Sequence, residues 1–154
     1  MRDKKKVVIG ISCGDINGIG LEVLIKTFID KSFLKDCIFV VYVPVKIIKE
    51  YKNKIKSKDF TFHIVDHPQQ ALSEKMNIIN FAAKDIQLSL GRSTQSAAQI
   101  AMESLDLAAK DLQKKHIDIL LTLPVNKKNI SLVKADFVGH TEYFSSQFNN
   151  QDTL

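Results

Sequence analysis

Four short apolar runs, separated by stretches long enough for a helix, constrain this chain more than any other feature. They lie at 7–12, 37–43, 60–65 and 117–123. Each is too short for a core helix and is bounded by charged or turn residues, so each reads as a strand. Ile117 to Leu121 in particular reads as a buried strand. Strands joined through helical segments pair in parallel, because a parallel neighbour needs a crossover of a dozen or more residues. The expected fold is therefore α/β, a mostly parallel sheet flanked by helices. The 154 residues match one domain and are enough for a real core. Nothing reads as a linker, a repeat or a low-complexity segment, so 1–154 is treated as one α/β region.

The segments between the runs carry helix signals. Gly14-Asp-Ile-Asn-Gly-Ile-Gly20 is a turn, and Leu21 to Ile29 has helical spacing. Pro44 suits the first turn of a helix reaching about Ile55. Asn77 to Phe81 is a candidate short strand. Ser93 or Thr94 caps the longest helix, to about Lys115, and Lys110, Lys114 and Lys115 gather at its end, where the helix dipole favours cations. A short helix is expected over Lys128 to Val133, and Phe137 to Phe148 holds a turn and a further helix. Asp152 stands where a turn would launch another strand. His63, on the third strand, reads as structural. Asp66 and His67 precede Pro68 in a turn; as a metal pair they are weak, since nothing nearby in sequence completes a coordination shell.

Charge and cysteine usage exclude several classes. The formal charge is +5, from 22 Lys and Arg against 17 Asp and Glu. The lysines are spread over Lys4–Lys6, Lys46–Lys58, Lys110–Lys115 and Lys127–Lys134, the aromatics are mainly Phe in apolar runs, and there is no nucleic-acid motif. No nucleic-acid partner is expected. Cys13 and Cys37 form no CxxC pattern and fit a reducing compartment. Lys4–Lys6 followed by Val7–Cys13 mimics a signal peptide but runs into Gly14-Asp15 without a small-x-small cleavage site, so a cytoplasmic location is expected. No stretch approaches the roughly 18 apolar residues of a membrane span.

The polar groups with chemical interest cluster beyond the fourth run. Pro124 stops that strand and leaves Asn126 and Lys127 past its carboxyl end, where open α/β sheets bind ligands. Gly139-His-Thr-Glu142 follows twelve residues after Lys127. It offers an imidazole, a hydroxyl and a carboxylate in a row. The alternative is an ordinary strand-turn-helix in which Thr141 merely caps a helix and Lys127 is a solvated helix-start residue. The glycine turn lacks the GKS/T of a P-loop, and glycines 14, 18 and 20 miss the GxGxxG spacing.

Taken together, these motifs resemble the 4-hydroxythreonine-4-phosphate dehydrogenases, the PdxA family of vitamin B6 synthesis. Gly14 to Glu22 matches a GDPAGIGPE-like segment. Thr122-Leu-Pro-Val-Asn-Lys127 matches a TAPINK-like one, and Gly139 to Glu142 is the family's GHTE at the same separation. Gly91 and the long helix match the segment between. Ile16 and Leu21 replace two family prolines, Ala97-Ala98 replaces Ser-Gly, and Lys134 stands where Gly is usual. The resemblance covers the family's amino-terminal part. It implies an isocitrate/isopropylmalate dehydrogenase-like fold, with two α/β halves around a cleft and a homodimer that completes the site. It implies oxidation of 4-phosphohydroxy-L-threonine by NAD or NADP, assisted by a divalent metal (Zn, Mg or Co), to a β-keto acid that loses CO₂. It further implies that His140 and Thr141 bind substrate, that Asp15, Asn126, Lys127 and Glu142 line the site, and that metal and cofactor groups lie beyond residue 154. Two alternatives stay open: a sister dehydrogenase acting on another phosphorylated hydroxy acid or a cyclic diol, and a non-catalytic fragment.

Overall fold

The computed structural model describes residues 6–83 and 86–148. Lys4, Lys5 and Asp152 lie outside them. Five strands form one sheet: β1 (Val7–Ser12), β2 (Cys37–Tyr42), β3 (Phe62–Val65), β4 (Met76–Ile79) and β5 (Ile119–Thr122). Their order is β3-β4-β2-β1-β5, and every pair is parallel. The candidate strand at 77–81 is thus β4, wedged between β3 and β2. The helices are α1 (Gly20–Thr27), α2 (Val45–Lys54), α3 (Gln95–Gln113), α4 (Lys127–Ile130) and α5 (His140–Gln147).

The alternation of strand side chains divides the core into two layers. Val41 and Val43 point to one face and pack with Leu21, Ile25, Ile47, Ile48 and Tyr51 of α1 and α2. Val40 and Tyr42 point to the other, against Ala108 and Leu107 of α3. Ile16 and Leu21, which stand where the family has prolines, are fully buried in the first layer. Ser104 sits in the middle of α3, fully buried. Its hydroxyl donates to the Tyr42 carbonyl at 2.6 Å and accepts the Cys13 N–H at 2.8 Å, stitching α3 to the ends of β1 and β2. Cys13 beside it is buried, and burial pushes its thiol up to about 12, an inert form.

Two expectations are corrected. The fourth run is not a buried strand: β5 pairs only with β1 among the described residues, and Ile119 and Leu121 are 51% and 47% exposed. The apolar weight of that run rests on Ile117, just before the strand. Its side chain fills the space a Cβ on Gly10 would take, 2.3 Å from the Ile117 Cδ1. His63, which read as structural, lies exposed on the edge strand β3. No described helix is long and apolar enough to cross a membrane.

Candidate active site

From β1 the chain crosses to β2 on one side, while β5 lies on the other. The carboxyl ends of β1 and β5 therefore flank the reversal of strand order, the place where open α/β sheets take ligands. Two loops meet there. Gly14 has φ +61°, and a Cβ on it would stand 2.4 Å from the Pro124 carbonyl oxygen. Only glycine permits this approach. The Asp15 N–H donates to that same oxygen at 2.9 Å. The Asp15 carboxylate accepts the Asn17 N–H at 2.9 Å and its carbonyl accepts the Gly18 N–H at 3.0 Å, so the loop closes on itself.

Asn17 is the residue that sequence reasoning missed. It is buried; its side-chain oxygen accepts the Ser89 N–H at 2.8 Å, and its amide donates to the Arg92 carbonyl at 2.9 Å and to Thr94 Oγ1 at 3.2 Å. Its carbonyl accepts the Gly91 N–H at 2.8 Å. One side chain thus ties the glycine loop to the segment that launches α3. The available signal was an Asn inside a glycine turn, a short amide that satisfies backbone groups where no ladder exists. From the opposite side, the Tyr51 hydroxyl lies 2.8 Å from the Ile16 carbonyl and 2.6 Å from that of Gly18. Burial, then Asp15 and Glu22, push its phenol up to about 12, so it stays a donor. The loop is pinned rather than pliable.

Past β5, Asn126 is the N-cap of α4. Its side chain accepts the Asn129 N–H at 3.2 Å and donates to Ser93 Oγ at 3.2 Å. Both of its polar ends are therefore engaged in holding the scaffold. Lys127 begins α4 and is exposed, with Nζ 3.7 Å from where a Cβ on Gly139 would stand. Gly139, not Thr141, holds the N-cap position of α5, so His140, Thr141 and Glu142 form its first turn. The His140 ring lies edge-on to Phe137 at 6.1 Å and stacked on Phe144 at 6.4 Å. Its Nε2 is buried with no hydrogen-bond partner. Burial, then the charge of Lys127, hold its pKa below the ordinary 6.5. At neutral pH the ring is therefore neutral, with one N–H to give and one lone pair to receive. Thr141 and Glu142 are exposed, and Glu142 borders a small hollow beside Lys134, Asp136 and Tyr143. Tyr143 anchors the helix through a hydrogen bond to Asp106 of α3, and Lys134 Nζ lies 5.1 Å from the Tyr143 ring centroid.

The fold thus brings Lys127, His140 and Glu142 around Gly139, and it joins Asp15 and Asn126 to the adjoining loops rather than to His140. In this group His140 and Glu142 carry metal-ligating atoms, and no cluster of three such ligands forms there among the described residues. The described side chains that do gather three ligand atoms are His67, Asp111 and His116. Asp111 lies 16 residues past the start of α3, about 24 Å along the helix axis from the end that Ser93 and Asn17 hold.

The fold and site define a class: a parallel α/β protein whose strand ends carry a glycine loop and a Pro-Val-Asn-Lys segment, followed by an imidazole on a helix start. Within that class the chain belongs to the PdxA family, described as pyridoxal phosphate biosynthetic protein PdxA, whose family model matches residues 35–154. The chain is 30% identical over 148 residues to 4-hydroxythreonine-4-phosphate dehydrogenase of Bacteroides thetaiotaomicron, covering 96% of this chain and 40% of that protein. It is 28% identical over 149 residues to a Fusobacterium nucleatum protein provisionally named D-threonate 4-phosphate dehydrogenase, covering 95% and 45%. A crystal structure of a 4-hydroxythreonine-4-phosphate dehydrogenase from Burkholderia phymatum superposes with TM-score 0.86 at 22% identity, covering 97% of this chain and 46% of that one. That last likeness establishes the fold. The chain spans under half the length of the curated relatives it matches.

Proposed function

We propose that this chain is the substrate-gripping part of an NAD(P)-dependent dehydrogenase that oxidises 4-phosphohydroxy-L-threonine in pyridoxal 5′-phosphate biosynthesis. The product is a β-keto acid, which loses CO₂ to give 3-amino-2-oxopropyl phosphate. The reaction removes a hydride from the carbinol carbon to NAD(P)⁺ and releases the hydroxyl proton. The dinucleotide supplies the hydride acceptor. A divalent cation belongs to the same reading, with its ligands expected beyond residue 154, and no step is assigned to it here. The chain's own residues bind and orient. His140, held neutral, donates to or accepts from a polar group of the substrate. Thr141 adds a hydroxyl from the same exposed turn, and Lys127 complements an anionic group. Asp15, Asn126 and Glu142 shape the surrounding loops. A homodimer and a location in the cytoplasm belong to the same reading.

The observation that carries this reading is His140: a buried, unpartnered Nε2 on a helix start, beside a lysine, past the switch point. Buried polar atoms without partners are uncommon and call for an explanation. In the complete enzyme, His140→Ala is expected to lower kcat/KM by roughly 10- to 1000-fold, from a charge-assisted hydrogen bond of about 1.5–3 kcal/mol together with lost positioning. The melting temperature should hold. If melting falls and activity falls only in proportion to unfolded protein, His140 is a core histidine and the reading loses its main support.

A second reading keeps the chemistry and changes the substrate. Ala97 and Ala98, where the family carries Ser-Gly, are both buried at the start of α3, close to the Asn17 contacts. The Fusobacterium relative shows that proteins this similar carry names for other phosphorylated hydroxy acids. Assaying the complete enzyme with 4-phosphohydroxy-L-threonine and D-threonate 4-phosphate side by side separates the two.

A further inference from the structure

We propose that His67, Asp111 and His116 form a binding site for one divalent transition-metal ion of the zinc class, clamping the end of α3 to the turn that follows β3. The three residues come from separate places: His67 caps a short 3-10 turn, Asp111 lies in the last turns of α3, and His116 stands in the α3–β5 connection. One ligand atom from each lies within 4.8 Å of the other two. A tetrahedral zinc site with bonds of about 2.0–2.1 Å needs ligand atoms roughly 3.3 Å apart. Closing the cluster therefore takes a side-chain adjustment of about 1.5 Å at most, without movement of the sheet.

Several features prepare the site. Lys115, with φ +58°, reverses the chain just before His116. The His116 N–H then donates to the Asp111 carbonyl at 2.9 Å, and His116 Nδ1 comes to 2.9 Å from Asp111 Oδ1. A positive φ in a non-glycine residue is unfavourable and persists only where the surroundings enforce it. The second carboxylate oxygen of Asp111 accepts the hydroxyl of the buried Tyr42 at 2.8 Å. This leaves Oδ1 directed to the cluster, as outer-sphere donors fix a ligand carboxylate. His67 meets the His116 ring edge-on with centroids 4.4 Å apart. Its competing tie is a long 3.4 Å contact from the Gln69 N–H, easily given up. Two imidazoles and one carboxylate suit zinc, cobalt or nickel rather than magnesium or calcium. All three residues are half-buried. The surrounding lysines 110, 114 and 115 are exposed, so solvent screens their charge. Asp66, the sequence neighbour of His67, is exposed and takes no part. The ordinary account of the same geometry is an Asp111–His116 ion pair with a histidine packed against it.

The test is a titration of the tagless, chelator-stripped chain with Zn²⁺ by calorimetry and with Co²⁺ by visible absorption. The expected result is a single saturable site with tetrahedral-type cobalt bands and a melting temperature that rises with Zn²⁺. His67→Ala and His116→Ala should each weaken binding at least about tenfold, and Tyr42→Phe by about tenfold as an outer-sphere change. His63→Ala, the exposed histidine outside the cluster, should bind as the parent does. If His116→Ala fails to fold, His67→Ala decides alone, since His67 makes only the weak Gln69 contact and a ring contact. No saturable binding by the parent overturns the site. Unchanged affinity in His67→Ala, or equal loss in His63→Ala, also overturns it, because binding is then adventitious.

Discussion

Replacing Gly14 by alanine tests whether the glycine loop and the segment after β5 are locked together as the structure has them. The substitution imposes two separable costs. The first is the backbone: φ is +61°, where an L side chain costs about 1–2 kcal/mol. The second is the close approach. The new Cβ would stand 2.4 Å from the Pro124 carbonyl oxygen and 2.8 Å from that of Leu123, both backbone atoms that cannot swing aside. Relief requires the loops to part, which sacrifices the 2.9 Å bond from the Asp15 N–H to Pro124. Overpacking costs about 1–3 kcal/mol and the lost bond about 1 kcal/mol, so with the backbone cost the total is roughly 3–6 kcal/mol. Gly91 supplies the control. Its φ is +73°, yet nothing lies within 4 Å of the position a new methyl group would take, so Gly91→Ala should cost only the backbone part, about 1 kcal/mol. Urea unfolding of parent and both variants, with a common m-value, reads the difference directly. At about 2–4 °C per kcal/mol for a chain of this size, melting temperatures should differ between the variants by roughly 4–20 °C. Equal costs within about 0.5 kcal/mol would refute the close approach and, with it, the geometry that positions Asp15.

Two further outcomes follow from the site. His140 has its folded pKa depressed below 6.5, first by burial, so below 6.5 the unfolded chain takes up a proton more readily than the folded one. Its contribution to stability is complete above 6.5 and is lost as pH falls through the folded pKa; urea unfolding across that range should show this loss in the parent and not in His140→Gln, and matching profiles would contradict the burial of the ring. On the proposed reading, the 154-residue chain alone, which covers 40% of the Bacteroides relative, should form no NADH or NADPH from 4-phosphohydroxy-L-threonine with divalent metal, since part of a unit that acts together retains little activity; absorbance growth above a no-protein blank would refute this.

The parts of the fold legible in the sequence are those written locally. Val7–Ser12 and Cys37–Tyr42 pair along their whole length, and their runs of β-branched residues are long enough to announce strands. Thr94 accepts the Ala97 N–H at 3.2 Å, the cap its position three residues before that amide foretells. β4 is harder to place. Met76–Ile79 is four residues long, and its location between β3 and β2 depends on long-range pairing that no local pattern records. The same limit explains β5. An apolar run reports that its residues are wanted by a core, but not which residue supplies the core and which the edge. Ile117 is buried over Gly10, while Ile119 and Leu121 stand in the strand with their side chains half exposed.

The site shows a sharper version of this division. Gly139 to Glu142 can be picked out because four chemically distinct residues are contiguous, and contiguity survives folding. Asn17 cannot, because its importance lies in partners 72 to 77 positions away. The histidine–aspartate cluster lies further still from what a sequence shows. In the sequence His67 stands out only with Asp66 beside it, whereas the fold discards Asp66 and brings Asp111 and His116 from 44 and 49 positions on. Motifs are legible when one turn of chain holds all the chemistry. When a long helix such as α3 carries groups to both ends of the sheet, one end meets Asn17 and the other meets His67, and only the packing of that helix says which residues share a site.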